Sequence, residues 1–205
     1  MPIELLLSDH ENALLYVFLD ENQDIYGRSA AIPIAGEPML LDKNCRNTNR
    51  IHDAAYRYYR GAVMEAPAIT GVDVELLTAT GVGKQAQAIC ALITRLVMEE
   101  KIKPQEIAVL LCDPRKREQS EQALSAHPIP ASTKWGRLEA YGVGSITVDT
   151  VAKFKGLERP VIILWALDES DTDKDRETLY VGMSRAKSLL YICGERAACE
   201  RISPS

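Results

Sequence analysis

The stretch TVAKFKGLERPVIIL, residues 150–164, and its companion LYVGMSRAKSLLYI, residues 179–192, decide the fold. In the first, a Lys-Gly-Leu-Glu turn stands directly before Pro160 and the apolar run 161–164. A run that apolar, bounded by Gly and Pro, predicts a strand buried on both faces of a parallel sheet. In the second, small and basic residues (Gly182, Ser184, Arg185, Ala186) fall at helical spacing, and another apolar run, 189–193, follows. An acid, a glycine turn and an arginine thus lie just outside buried strands. Open α/β sheets bind ligands at the carboxyl ends of their strands, and these residues are expected there.

KGLE before an apolar strand resembles motif V of superfamily 1 helicases of the UvrD/Rep type, and YVGMSRAK resembles their motif VI, usually written YVAxTRA. The two stand in the family's order and spacing. Upstream, Asp20, Gln23, Tyr26 and Arg28 resemble motif III, although the family's aromatic between the tyrosine and the arginine is absent. The stretch around Asn44 and Arg46 resembles motif IV, LxxNYRS, with Cys45 in place of the tyrosine.

The resemblance implies an α/β, RecA-like lobe with a mainly parallel sheet flanked by helices. This is a P-loop NTPase-type lobe without its own Walker A loop, expected over residues 37–205. Residues 1–36 are then a remnant of a first motor lobe, carrying the motif III strand, and a linker. In the family, ATP with Mg²⁺ lies between two such lobes, the first supplying the Walker A loop and the metal-holding acids. By resemblance, Arg185 and Arg46 reach the terminal phosphates, Gln23 senses them, and Gly156 and Glu158 complete the nucleotide contacts, with Glu158 at the ribose. Tyr26, Arg28, Asn44, Thr150 and Lys153 are implied to face single-stranded nucleic acid, DNA in preference to RNA. No residue is assigned to a metal. Planar guanidinium forks suit the charge that phosphoryl transfer spreads over oxygens. Read without the resemblance, Arg185 also fits a surface arginine paired with an acid such as Glu177. The small residues around it favour free reach into a cleft.

The sequence TATGVGK, residues 78–84, imitates a phosphate loop. A Walker A loop needs GxxxxGK followed by Ser or Thr, whose hydroxyl holds Mg²⁺. Thr78 stands where the first glycine belongs and Gln85 replaces the hydroxyl residue, so the stretch predicts only a glycine turn before a helix over 84–98. That helix carries Ala88, Leu92, Ile93 and Leu96 on one face. Other expectations are a helix capped by Asn47 or Thr48 and strands over 72–77, 104–112 and 145–149. A polar helix is expected over 115–124, a loop over 127–144 anchored by Trp135, and a tail without signal from 197.

The composition is that of a globular domain: 205 residues, 46% hydrophobic, 26% charged. A formal net charge of -5 argues against a self-sufficient nucleic-acid binder, because phosphate neutralisation drives such affinity. Strand contact has to come from a local patch or a partner domain. Five cysteines without a CxxC pair predict no zinc site and a reducing cytoplasm. No apolar run approaches the ~18 residues of a membrane span.

These readings converge on the C-terminal lobe of an ATP-dependent helicase or translocase, inactive as a separate piece because no GxxxxGK[ST] and no DExx box is present. The alternative is a stand-alone interaction or nucleotide-sensing module derived from such a lobe. An independent P-loop kinase is excluded by the 78–84 mismatch.

Overall fold

A computed structural model gives the architecture of residues 39, 41–61, 63–140 and 142–203. Gln23, Tyr26, Arg28 and the proposed 1–36 remnant lie outside the described residues. The chain forms α1 (Asn49–Tyr56), β1 (Glu75–Thr78), α2 (Val82–Met98), β2 (Ile107–Leu111), α3 (Arg117–Ser125) and β3 (Lys134–Gly136). It continues through β4 (Ser145–Thr150), β5 (Arg159–Trp165), α4 (Arg176–Ser184), β6 (Ala186–Gly194) and α5 (Arg196–Ile202).

The six strands form one sheet in the order β1-β6-β5-β2-β4-β3, and every neighbouring pair is parallel. Both faces are buried, as continuous apolar strands require. Successive side chains alternate between the faces. Ala108, Leu110, Ile162, Leu164, Leu190 and Ile192 pack under α1, α4 and α5. Their neighbours Ile107, Val109, Leu111, Val161, Ile163 and Trp165 pack under α2 and α3. The result is three layers with a core on each side of the sheet.

The central prediction holds: 161–164 is fully buried inside β5. Of the expected α2 stripe, Leu92, Ile93 and Leu96 are buried, and Ala88 alone sits on a half-exposed border. Ala86, Ile89 and Cys90 complete the buried face. Two segments depart from expectation. The loop 127–144 contains β3, which adds to the sheet edge beside β4. Three residues are too few for period-2 alternation to register in sequence. The tail from 197 is not without structure: α5 buries Ala198, Cys199 and Ile202. It is also tied down by the Tyr58 hydroxyl, which donates to the Ile202 carbonyl at 2.7 Å.

Motif VI is split between two elements. Its helical part ends at Ser184, Arg185 caps α4, and Ala186 already belongs to β6. Gly182 lets α4 press on the sheet. A Cβ there would stand 2.6 Å from Leu164 Cδ1 and 3.2 Å from Val151 Cγ2, so no side chain fits without moving the core.

Candidate functional site

Three segments distant in sequence meet at one edge of the sheet. Arg46 precedes α1, Glu158 precedes β5, and Arg185 and Lys187 bracket the start of β6. The meeting place is the amino end of β5 and β6, not the carboxyl end that strand-edge reasoning led us to expect. The cause is the connection 151–158. It carries the chain from the carboxyl end of β4 back across the sheet, so the KGLE turn opens β5 from below. Gly156 sits in that turn at φ +85°, a backbone region that L side chains rarely adopt. A Cβ there would meet nothing within 4 Å, so backbone conformation, not space, selects glycine.

Glu158 is the centre of the charge cluster. Its carboxylate takes Lys187 Nζ at 2.9 Å and Arg46 Nε at 3.1 Å. Lys187 first, with Arg46 and Arg185 behind it, holds the Glu158 carboxyl below the usual carboxylate range. Arg46 and Glu158 are both substantially exposed, so their side chains can be redirected at small cost.

Arg185 does not stand free in a cleft. It is 2% exposed, and its guanidinium donates to the Val181 carbonyl at 3.1 Å, the Leu157 carbonyl at 3.4 Å and the Ser184 hydroxyl at 2.9 Å. The small neighbours that suggested open reach instead let the side chain fold back along α4. The pairing with Glu177 is likewise not made, because Glu177 binds Arg176. The Leu157 bond still ties Arg185 to the residue next to Glu158.

Asn47, which the sequence offers only as a candidate helix cap, holds the arginine-bearing turn. Its side-chain amide donates to the Ser184 carbonyl at 3.1 Å and also to that of Ala186, on either side of Arg185. Asn44 in turn donates to the Asn47 side-chain oxygen at 3.0 Å and to His52 Nδ1 at 3.0 Å, and accepts from the Arg46 amide at 3.0 Å. Asn44, assigned to strand contact by resemblance, is thus engaged in internal bonds that shape the Arg46 loop. Burial lowers the His52 pKa, against the smaller raising effect of Asp53. The neutral ring is the form whose Nδ1 accepts from Asn44. Lys187 lies in the SRAK stretch but was given no role from the sequence, and nothing local in the sequence marks this bonding role of Asn47, whose partners lie 137 and 139 residues away.

The remaining assignments sit elsewhere. Thr150 is buried at the carboxyl end of β4, and its hydroxyl accepts from the Lys153 amide at 3.3 Å. Lys153 lies on the surface and pairs with Glu139 at 3.1 Å. Neither joins the Arg46–Glu158–Lys187 cluster. The 78–84 stretch forms a turn into α2, with Gly81 at the cap. Gln85, at the position a phosphate loop gives to a hydroxyl, instead accepts from Trp165 Nε1 at 2.8 Å and donates to Asp168 at 2.7 Å.

Residues 145–193 match the UvrD-like helicase C-terminal domain family. A 56-residue segment is 39% identical to the mitochondrial ATP-dependent DNA helicase HMI1 of Saccharomyces cerevisiae, covering 27% of this chain and 8% of that protein. The chain therefore spans a small part of that relative's length. The solved C-terminal domain of a possible DNA helicase from Lactobacillus plantarum WCFS1 superposes with a TM-score of 0.59 at 18% identity, over 78% of this chain and 90% of that one. Over 78% of its length the chain thus shares the fold of that solved domain, and the segment matched by the UvrD-like helicase C-terminal domain family, residues 145–193, holds Gly156, Glu158, Arg185 and Lys187.

Proposed function

We propose that this lobe completes the nucleotide site of an ATP-dependent DNA helicase or translocase, acting with a first motor lobe that brings the Walker A loop. The observation that carries this reading is the meeting of Arg46, Glu158, Lys187 and Arg185 at one sheet edge, with Arg46 coming from more than a hundred residues before the other three. The donor set fits a nucleoside triphosphate. Arg46 and Lys187 are cations held by one shared carboxylate, and phosphate oxygens offer both a stronger partner. Glu158, once released, can accept from ribose hydroxyls. Mg²⁺ is assigned to the first lobe, as the resemblance to motor lobes implies. ATP supplies the free energy of cleft closure, and this lobe's task is to hold cations against the terminal phosphates.

Arg185 serves in this scheme after turning away from the Val181 and Leu157 carbonyls. Catalytic contacts are often unmade in the absence of substrate. Its burial also supports a second reading, a non-catalytic module in which Arg185 only staples α4 to the KGLE turn. The separating experiment uses the two-lobe protein and DNA-stimulated ATP turnover. The motor reading expects Arg46→Ala to abolish most turnover without lowering Tm. Full turnover in that variant, together with unaltered ATP affinity, supports the module and removes the motor.

A further inference from the structure

A cavity of about 420 Å³ opens at the opposite edge, between the carboxyl ends of β2 and β5. It is independent of the arginine cluster and of the function proposed for it. From β2 the chain leaves toward β3 through α3, under one face. From β5 it leaves toward β6 through α4, under the other. Adjacent strands whose connections diverge in this way make a topological switch point, the crevice where open α/β sheets take ligands. The volume lies within the range of small-molecule sites.

Two features inside the cavity lack a structural explanation. Ser120, 1% exposed, is one of the lining residues, and its hydroxyl has no hydrogen-bond partner among the described residues. Buried hydroxyls are seldom left so. Ala166, a non-glycine residue in the wall, holds φ +56° directly after β5, a strain of the kind that collects at binding sites.

Charge decides the class of guest. Arg115 grips Asp113 through two bonds of 2.9 Å, and Lys116 pairs with Glu169 at 2.8 Å. Asp168 and Asp175 also line the cavity, and neither forms an ion pair among the described residues. Arg201, close by, bonds the backbone carbonyls of Asp168 and Ser170 and not the carboxylate. Burial, reinforced by Asp175 and Asp113, pushes the Cys112 thiol far up, in keeping with a negative potential here. The apolar part of the wall is Val82, Pro114 and Trp165.

The geometry points to a binding site for an alkylammonium group. The aliphatic stem lies along Val82, Pro114 and Trp165, and the ammonium is taken by Asp168, Asp175 and the unmatched Ser120 hydroxyl. An anion is disfavoured, because Arg115 and Lys116 already hold carboxylates and the walls carry two further acids, Asp168 and Asp175, outside any ion pair among the described residues. The amine is either a free aliphatic diamine or a lysine side chain of a partner protein.

The test is a titration of the chain with 1,5-diaminopentane, followed by the Trp165 indole N–H resonance with Trp135 as internal control. Parallel titrations use a lysine-containing peptide and pyrophosphate. Saturable amine binding that shifts Trp165 is expected, weakened about tenfold or more in Asp175→Asn, as loss of a charged hydrogen bond dictates. Asp175→Asn keeps an acceptor for the Asp171 amide, which Asp175 binds at 2.8 Å, so the loop stays capped. Ser120→Ala removes only the hydroxyl and is expected to weaken binding severalfold with Tm retained. A peptide bound at least tenfold more tightly than the diamine identifies a partner's lysine, and the reverse order a free amine. Absence of saturable amine binding, unchanged affinity in both variants, or a Trp165 shift with pyrophosphate alone overturns the site.

Discussion

Arg185 is the residue on which sequence and structure differ most usefully. An exposed arginine finger could be removed without harm to folding. A guanidinium buried on three donor contacts cannot. Arg185→Ala is therefore expected to cost about 1–3 kcal/mol, because the Val181 and Leu157 carbonyls lose a charged donor. In the two-lobe protein it should also lower turnover on the order of 10³-fold or more. Arg185→Lys should recover little, since a point charge cannot serve two carbonyls and a hydroxyl as a planar fork does. Chemical denaturation beside turnover for both variants checks this; a stability loss with normal turnover would leave Arg185 a staple. His52 gives a pH prediction. Its folded pKa lies below the unfolded value, so the unfolded chain binds more protons at mildly acidic pH. The His52 contribution to stability is thus intact above the unfolded value near 6.5 and declines as pH falls below it. Tm measured from pH 7.5 to 5 should drop more steeply for the native chain than for His52→Gln, which has a neutral acceptor at all these pH values.

At the scale of elements, the site depends on how firmly α1 and α4 are held. Asn47 bonds both carbonyls beside Arg185 from the start of α1. Asn47→Ala leaves those carbonyls and Asn44 short of a partner, which should cost about 1–3 kcal/mol. Hydrogen exchange at Arg185 to Lys187 should accelerate before that of β2, because the loss is local. Uniform acceleration across the sheet would mean that Asn47 supports global folding instead of this turn. Gly182 tests the same packing from below. With Leu164 2.6 Å from a built Cβ, Gly182→Val forces α4 outward and should destabilise by about 1–3 kcal/mol, as overpacking does.

For the whole molecule, the formal charge of -5 and the engagement of Arg46 and Arg185 with partners inside the lobe bear on the proposed function. This chain alone should release no phosphate from ATP above a buffer blank. It should also bind single-stranded DNA only weakly near physiological salt, since phosphate neutralisation drives such binding and the chain carries a net negative charge. Fluorescence anisotropy at about 150 mM salt reads the second expectation, and submicromolar affinity would contradict it. Adding a first lobe should restore turnover only if the Arg46–Glu158 pair can open.

The sequence by itself determined the layer architecture. Continuous apolar runs such as 161–164 can be satisfied only between two helical layers, and the motif V and VI patterns located Gly156, Glu158 and Arg185. Tertiary structure alone decided which sheet edge receives them, because that depends on the crossing path of 151–158. It also decided whether Arg185 is exposed. Local spacing shows small neighbours but not the carbonyls of Val181 and Leu157 waiting behind them. The carbonyl contacts of Asn47, β3 and the buried face of α5 were invisible for the same reason: their stabilising partners come from remote segments, and no short-range pattern encodes a contact made across the fold.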